Sequence, residues 1–403
     1  MNYFITKYDI DPPEGAMRCV LDDTIMHKGL LVTAGSGIIE GFIAPLDATV
    51  VTKLEAAEIV ILGKTKMDEF SAAGLFSNLN AETRTSIDIN ESNPKCGTEP
   101  QCGSNITSGA VAAVADGIAG FALCNDYTGE VSRQAALSGL CYIRPTYGTV
   151  SRYGLIPTVP SMDQIGVVCE NLSEGFRALE IISGYDPNDG SMINERCEGR
   201  AEAKADGAGN SGDVKSRTAS SRGAGLRIGL PVNLFKHTQD RAAAQSIIRD
   251  YKGKEFELKY SGVYTQVMQI LCSAELSNNI SRYDGIKFGY RADGYSDLRE
   301  LYTKTRTEAL GFYPKLSALL GAIALSQENY VRYYDKAMRI RRLINESLRF
   351  SEYDAIVLPT GDSATSLPIL CGLPAVTLPS DNEGITLVAG LQREDTLKQI
   401  VEG

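Results

Sequence analysis

Few side chains in this sequence combine a reactive type with a useful spacing. Ser104, Ser108 and Ser132 are hydroxyls in short polar stretches. A serine attacks a carbonyl carbon only when a base takes its proton, and no base lies close to these three in sequence. Ser132 reads as a turn or helix-start residue. Asp126 and Glu130 stand four residues apart and could act as an acid/base pair or hold a cation. A carboxylate in a shielded pocket has a raised pKa. The bland reading is a salt-bridged or helix-capping pair. Cys96 and Cys102 are separated by five residues with no histidine near, which is not a metal-ligand spacing. No metal and no cofactor is expected. Cys124 lies in an apolar run and reads as core. Arg339, Arg341 and Arg342, beside Glu346, read as a solvated helix face.

Counting narrows the chemistry further. His27 and His237 are the only histidines, which leaves no room for a histidine-dependent triad or a poly-histidine metal site. Lys plus Arg is 40 against 50 Asp plus Glu, a net charge of −10. Such a chain has no overall field for phosphate backbones, so no direct nucleic-acid binding is expected. Nine scattered cysteines form no disulfide framework and read as reduced thiols of a cytoplasmic protein. The start lacks the pattern of a signal peptide, and no apolar run is long enough to span a membrane. The 403 residues allow two domains or one large α/β domain.

The elements that must position these groups alternate between helix and buried strand. Ala48–Ala57 has helical apolar spacing, and Ile59–Leu62 reads as a buried strand closed by Gly63. Ser108–Gly120 reads as a small-residue helix and Phe121–Cys124 as a strand. Further strands are expected at Asp354–Leu358 and Leu226–Leu230. This alternation implies α/β layers around a largely buried sheet. Residues 199–225 are dominated by Gly, Ala and Ser and read as a flexible low-complexity insertion or linker. Residues 264–349 read as a mainly helical subdomain.

Three stretches carry a family likeness. Gly63-Lys-Thr-Lys-Met-Asp-Glu-Phe70, Arg144–Leu155 with Ser161-Met-Asp-Gln-Ile-Gly166, and Ser273–Gly285 with Gly289-Tyr-Arg291 resemble blocks of the amidase signature family. The third block is similar to one branch of it, the A subunits of tRNA-dependent amidotransferases. The likeness runs with gaps from Gly15 to Leu391. It implies one amidase-like α/β domain over 1–403, with a mixed, mostly parallel twisted sheet flanked by helices. It also implies chemistry by a lysine, a bridging serine in a cis peptide and a nucleophilic serine, acting on an amide.

The residues at those three family positions differ. Leu21 stands at the lysine, Ile106 at the bridging serine with Thr107 beside it, and Glu130 at the nucleophile; a shifted register puts Val131 there instead. Gly103, Ser104, Thr107, Asp126, Thr128, Gly129 and Ser132 are expected to remain as remnants of the substrate pocket. Lys64 and Lys66 lie in a matched block but away from the family's catalytic lysine, and read as structural or surface residues. Leu316 and Ser317 stand where the branch carries paired arginines, and only Gly361–Leu370 separates Thr360 from Cys371, where the family has a longer loop. The resulting expectation is a catalytically inactive amidase-like protein. It would act as a scaffold or regulatory subunit with an active amidase-like or amidotransferase-like partner, or as a homo-oligomer. The alternative is an active amidase, or a glutamine-hydrolysing amidotransferase subunit with a rearranged site.

Overall fold

The computed structural model describes residues 3–76, 108–193, 225–235, 238–251, 253–361, 364–380 and 384–402. Gly103, Ser104, Ile106 and Thr107 lie outside the described residues, as do Cys96, Cys102, His237 and all of the 199–225 insertion except Gly225.

Eleven strands among the described residues build one sheet. They are β1 (Phe4–Lys7), β2 (Arg18–Asp22), β3 (Val60–Thr65), β4 (Phe121–Asn125), β5 (Cys141–Arg144), β6 (Ile165–Cys169), β7 (Ile228–Pro231), β8 (Lys254–Phe256), β9 (Ala355–Pro359), β10 (Ala375–Leu378) and β11 (Ile385–Ala389). Their order is β1-β3-β2-β4-β6-β5-β10-β11-β9-β7-β8. The sheet is mixed, as expected, but not mostly parallel. Strand β2 runs parallel to β3 and β4, and β7 runs parallel to β8 and β9. The other six pairings are antiparallel. Short connections such as the one from β10 to β11 allow only antiparallel neighbours, whereas parallel strands need a crossover.

Side chains alternate strictly between the two faces. On β4, Phe121 and Leu123 join one core layer while Ala122 and Cys124 join another. On β9, Ala355 and Val357 share the first layer, and Ile356 and Leu358 face away from it. Helices α1 (Thr49–Ala56), α4 (Leu172–Ile182), α5 (Thr238–Asp250) and α11 (Glu394–Glu402) cover the first face. The opposite face is shared between two groups. Helices α2 (Gly109–Ala115) and α3 (Glu130–Leu137) lie over the β2–β4 end. Helices α6 (Tyr264–Ile280), α7 (Leu298–Ala309), α8 (Phe312–Leu325), α9 (Lys336–Glu346) and α10 (Ser366–Cys371) build the other side.

Small residues set the close approaches. A Cβ at Gly109 would meet the carbonyl oxygens of Tyr3 and Lys66 at 2.7 and 2.9 Å, so α2 can start only with glycine there. Strand β3 does not stop at Gly63. It runs on to Thr65, because Gly63 adopts φ +152° beside the irregular β1–β3 register. That extension carries Lys64 inward. A Cβ at Gly63 would sit 2.4 Å from the Thr6 carbonyl oxygen. Gly63→Ala is therefore expected to cost about 1–3 kcal/mol by urea denaturation, with β1 displaced.

Candidate functional site

The parallel strands β2, β3 and β4 end together at one edge of the sheet. Leu21 on β2 is in register with Lys64 on β3 and with Leu123 on β4. Leu21 packs among Cys19, Ile25, Phe121 and Leu123 and has no exposure. Lys64 is also fully buried. Its Nζ lies 2.8 Å from Asp23 Oδ1 and donates to the Leu31 carbonyl at 2.9 Å. The other Asp23 oxygen accepts from the Thr33 amide at 2.8 Å and the Thr33 hydroxyl at 2.5 Å. Burial lowers the Lys64 pKa, and Asp23 opposes that shift. This buried pair clamps the loop after β2 onto the end of β3.

The clamped loop then fixes the segment after β3. The Ala34 carbonyl accepts from the Phe70 amide at 2.9 Å, and Ser36 Oγ donates to Glu69 Oε1 at 2.5 Å. The other Glu69 oxygen accepts from the Gly311 amide at 2.8 Å, one residue before α8. Desolvation raises the Glu69 pKa. Phe70 and Ser71 both sit at φ +53°, a left-handed conformation that costs energy for non-glycine residues. Tyr127 holds the turn by donating to the Phe70 carbonyl at 2.6 Å.

The loop from β4 into α3 is built around Asp126. Its Oδ1 accepts from the Gly129 amide at 2.7 Å and its Oδ2 from the Ser132 amide at 3.1 Å. Gly129 caps α3 with φ +83°. Ser132 lies in the first turn of α3, and its hydroxyl donates to the Gly129 carbonyl at 2.9 Å. Buried Arg144 donates to the Asp126 carbonyl and to Gln164. Glu130 is engaged by Arg133 at 2.6 Å and by Gln134 at 3.0 Å. The Asp126–Glu130 pair thus behaves as cap and ion pair, the bland reading.

Carboxyls of unusual acidity gather at this edge. Burial pushes Asp22 up to about 6, although Thr24 donates to it from both its amide and its hydroxyl. Asp68 keeps part of its surface in solvent, yet the protein crowded around its carboxyl pushes it up to about 7, with Glu130 and Asp22 adding repulsion. The Ala73 amide donates to Asp68 Oδ2 at 3.0 Å. The next residue, Gly74, touches Thr128: a Cβ there would lie 2.5 Å from Thr128 Oγ1 and 3.0 Å from Glu130 Cβ. Asp68 and the Thr128 hydroxyl therefore flank the Ala73-Gly74 pair.

Of the expected pocket residues, Asp126, Thr128, Gly129, Glu130 and Ser132 come together in one loop and helix start. Gly103, Ser104, Ile106 and Thr107 lie outside the described residues. Asp22, Asp23 and Asp68 were missed, and of the two readings given for Lys64 the structural one holds, since it is wholly buried against Asp23. The one available signal was the block Gly63–Phe70 itself. Arg341 is not part of a solvated face. It turns inward, donating to the Leu370 carbonyl at 2.6 Å and to Ser161. Arg339 and Arg342 are exposed and pair with Asp335 and Glu346. The six described cysteines are free thiols, and the described residues contain no cluster of three or more groups that could hold a metal ion. No helix of the described residues is long and apolar enough to cross a membrane.

Comparison with known proteins gives a consistent picture. Residues 19–368 match the family model described as Amidase. The chain is 34% identical to the A subunit of glutamyl-tRNA(Gln) amidotransferase from Lachnoclostridium phytofermentans, covering 92% of this chain and 76% of that protein. It is also 34% identical to the protein of the same name from Listeria innocua, over 92% and 78%. Among solved structures, the fold matches the A subunit of glutamyl-tRNA(Gln) amidotransferase from Thermotoga maritima with a TM-score of 0.68 at 24% identity, over 98% of this chain and 84% of that one. Peptide amidase of Stenotrophomonas maltophilia matches with a TM-score of 0.66 at 22% identity, over 95% and 81%. These relatives overturn the expectation of an inactive scaffold. The two curated relatives at 34% identity bear the name of an amidotransferase subunit over 92% of this chain, and substitutions at three family positions do not establish inactivity.

Two outcomes follow from this geometry. Lys64→Met strands a buried carboxylate and is expected to cost about 3–5 kcal/mol in urea unfolding, while Lys64→Met combined with Asp23→Leu recovers most of it. The second concerns pH. Asp22 and Asp68 have raised pKa values in the fold, so their contribution to stability is full below about pH 4 and is lost as pH climbs through 6 and then 7. Asp68→Asn is expected to flatten the upper part of that decline in a series of chemical denaturation curves.

Proposed function

The chain belongs to the amidase family, and we propose that it is an amidohydrolase that cleaves the C–N bond of a carboxamide, working as the glutamine-hydrolysing subunit of a tRNA-dependent amidotransferase. The observation that carries this reading is that the segment Asp68–Gly74, whose first carboxyl accepts from the Ala73 amide and is pushed up to about 7 by burial, packs through Gly74 against Thr128. It is supported by the likeness to the A subunits of amidotransferases.

In this reading Asp68 replaces the family lysine as general base. It takes the proton of the Thr128 hydroxyl, whose oxygen attacks the amide carbon. The proton passes to the departing nitrogen, which leaves as ammonia, and water then hydrolyses the ester on Thr128. Asp126 holds the loop that presents Thr128, and Lys64 acts only by fixing the segment that carries Asp68. The amide is taken up by one compact domain over 1–403, with 264–349 as its helical subdomain. The protein works in the cytoplasm with a protein partner, and contact with tRNA falls to that partner.

The test is ammonia release from glutamine, asparagine and a simple carboxamide by the purified chain. The acid limb of kcat/KM is expected near pH 7, because the base must be deprotonated. Asp68→Asn should lower kcat/KM by about 10²-fold or more. Thr128→Ala should abolish labelling by a fluorophosphonate probe. Absence of turnover on all three amides, or an unchanged rate in Asp68→Asn, would sink the assignment.

A further inference from the structure

A cavity of about 270 Å³ opens between the segment Arg152–Asp163 and the turn that holds Asn188 and Asp189. Arg152 is the one cation among its described lining residues. Its guanidinium lies 4.9 Å from the centre of the Tyr147 ring, and its Nη1 donates to the Pro160 carbonyl. Those contacts fix the group and occupy one side of it. The other edge is open. Nε is enclosed but makes no hydrogen bond, and Asp189 Oδ2 stands 3.6 Å from it. Nothing among the described residues accepts from Nη2. An arginine edge with both N–H groups free matches a carboxylate, which takes two parallel hydrogen bonds from it.

The opposite charge lies in the same cavity. Asp189 is largely enclosed, with its side chain 8% exposed. Burial works against its charge, but hydrogen bonds from Ser191 and from the Arg152 amide hold the carboxyl below the usual carboxylate range. Asn188 Nδ2 donates to Asp186, which leaves the Asn188 carbonyl oxygen without a donor among the described residues. Asp163, the second carboxylate of the lining, is already saturated by Asn125, Thr158 and Val159. Leu155, Pro157 and Pro160 add apolar wall. A dianion such as phosphate would be repelled by Asp189, and a metal cation by Arg152. A zwitterion meets neither objection. The geometry points to a binding site for a free α-amino acid with an apolar side chain. Its carboxylate lies on the Nε–Nη2 edge of Arg152, its ammonium against Asp189 and the Asn188 carbonyl, and its side chain on the apolar wall. This site goes beyond the amide chemistry proposed above and does not depend on it.

The test uses the full chain and L-leucine as the probe. The controls are L-leucinol, which lacks the carboxylate, and 4-methylpentanoate, which lacks the ammonium. Equilibrium dialysis with labelled leucine is expected to show saturable binding at about millimolar concentration or below, and competition should show both controls binding about tenfold or more weakly. Arg152→Gln should weaken leucine binding about tenfold or more. Asn188 is exposed, and Asn188→Lys puts a cation where the ammonium sits. That variant should lose leucine while keeping 4-methylpentanoate. If Arg152→Gln fails to fold, Asn188→Lys carries the comparison. Leucine and leucinol binding alike, leucine binding unchanged by Asn188→Lys, or no saturable binding of leucine overturns the proposal. Ammonia release from glutamine is read separately on the same preparations, so absence of this site and failure of the amidase assignment give different results.

Discussion

The buried ion pair of Lys64 and Asp23 is the constraint on which the functional edge depends. Both side chains are fully enclosed, and each charge is tolerable only because the other is there. The pair joins β3 to the loop that follows β2, and the Lys64 bond to Leu31 extends the grip further along that loop. From Ala34 and Ser36 the constraint passes to Phe70 and Glu69, and so to the position of Asp68. The strained Phe70–Ser71 turn persists because this scaffold surrounds it on several sides.

Electrostatics at the edge follow from that packing. One cation is sealed inside its own pair, while burial raises the pKa of two carboxyls near it, Asp22 and Asp68. Burial makes the charged form costly, so both keep their protons to higher pH than they would in water. The strand ends that hold Leu21 thus carry two carboxyls, Asp22 and Asp68, whose protonation changes near pH 6 and 7.

Much of the architecture was legible in sequence. Alternating helices and apolar runs marked four of the eleven strands of the described residues, three of them to within two residues, and the small-residue run from Ser108 marked α2. What misled was local. Gly63 looked like a strand end because glycine usually punctuates, but here it lets the strand continue past a bulge. Lys64 stayed open between a structural and a surface role because lysine is seldom fully buried, and the tertiary pairing with Asp23 decides for the first. Arg341 read as solvated because its helix neighbours are, whereas Leu370 and Ser161 draw it inward. Strand direction was the largest error: β5, β6, β10 and β11 pair antiparallel, a matter of connection length that apolar runs do not encode. Reading activity from three aligned positions failed for a similar reason, since chemistry depends on what converges in space.

Glu69 joins two regions that are otherwise separate. One of its oxygens holds Ser36 near the strand ends, and the other holds the amide of Gly311 at the start of α8. The helix therefore cannot slide along its axis without breaking this link or dragging the neighbouring Asp68 with it. One carboxylate thus ties the start of α8 to the loop that follows β2.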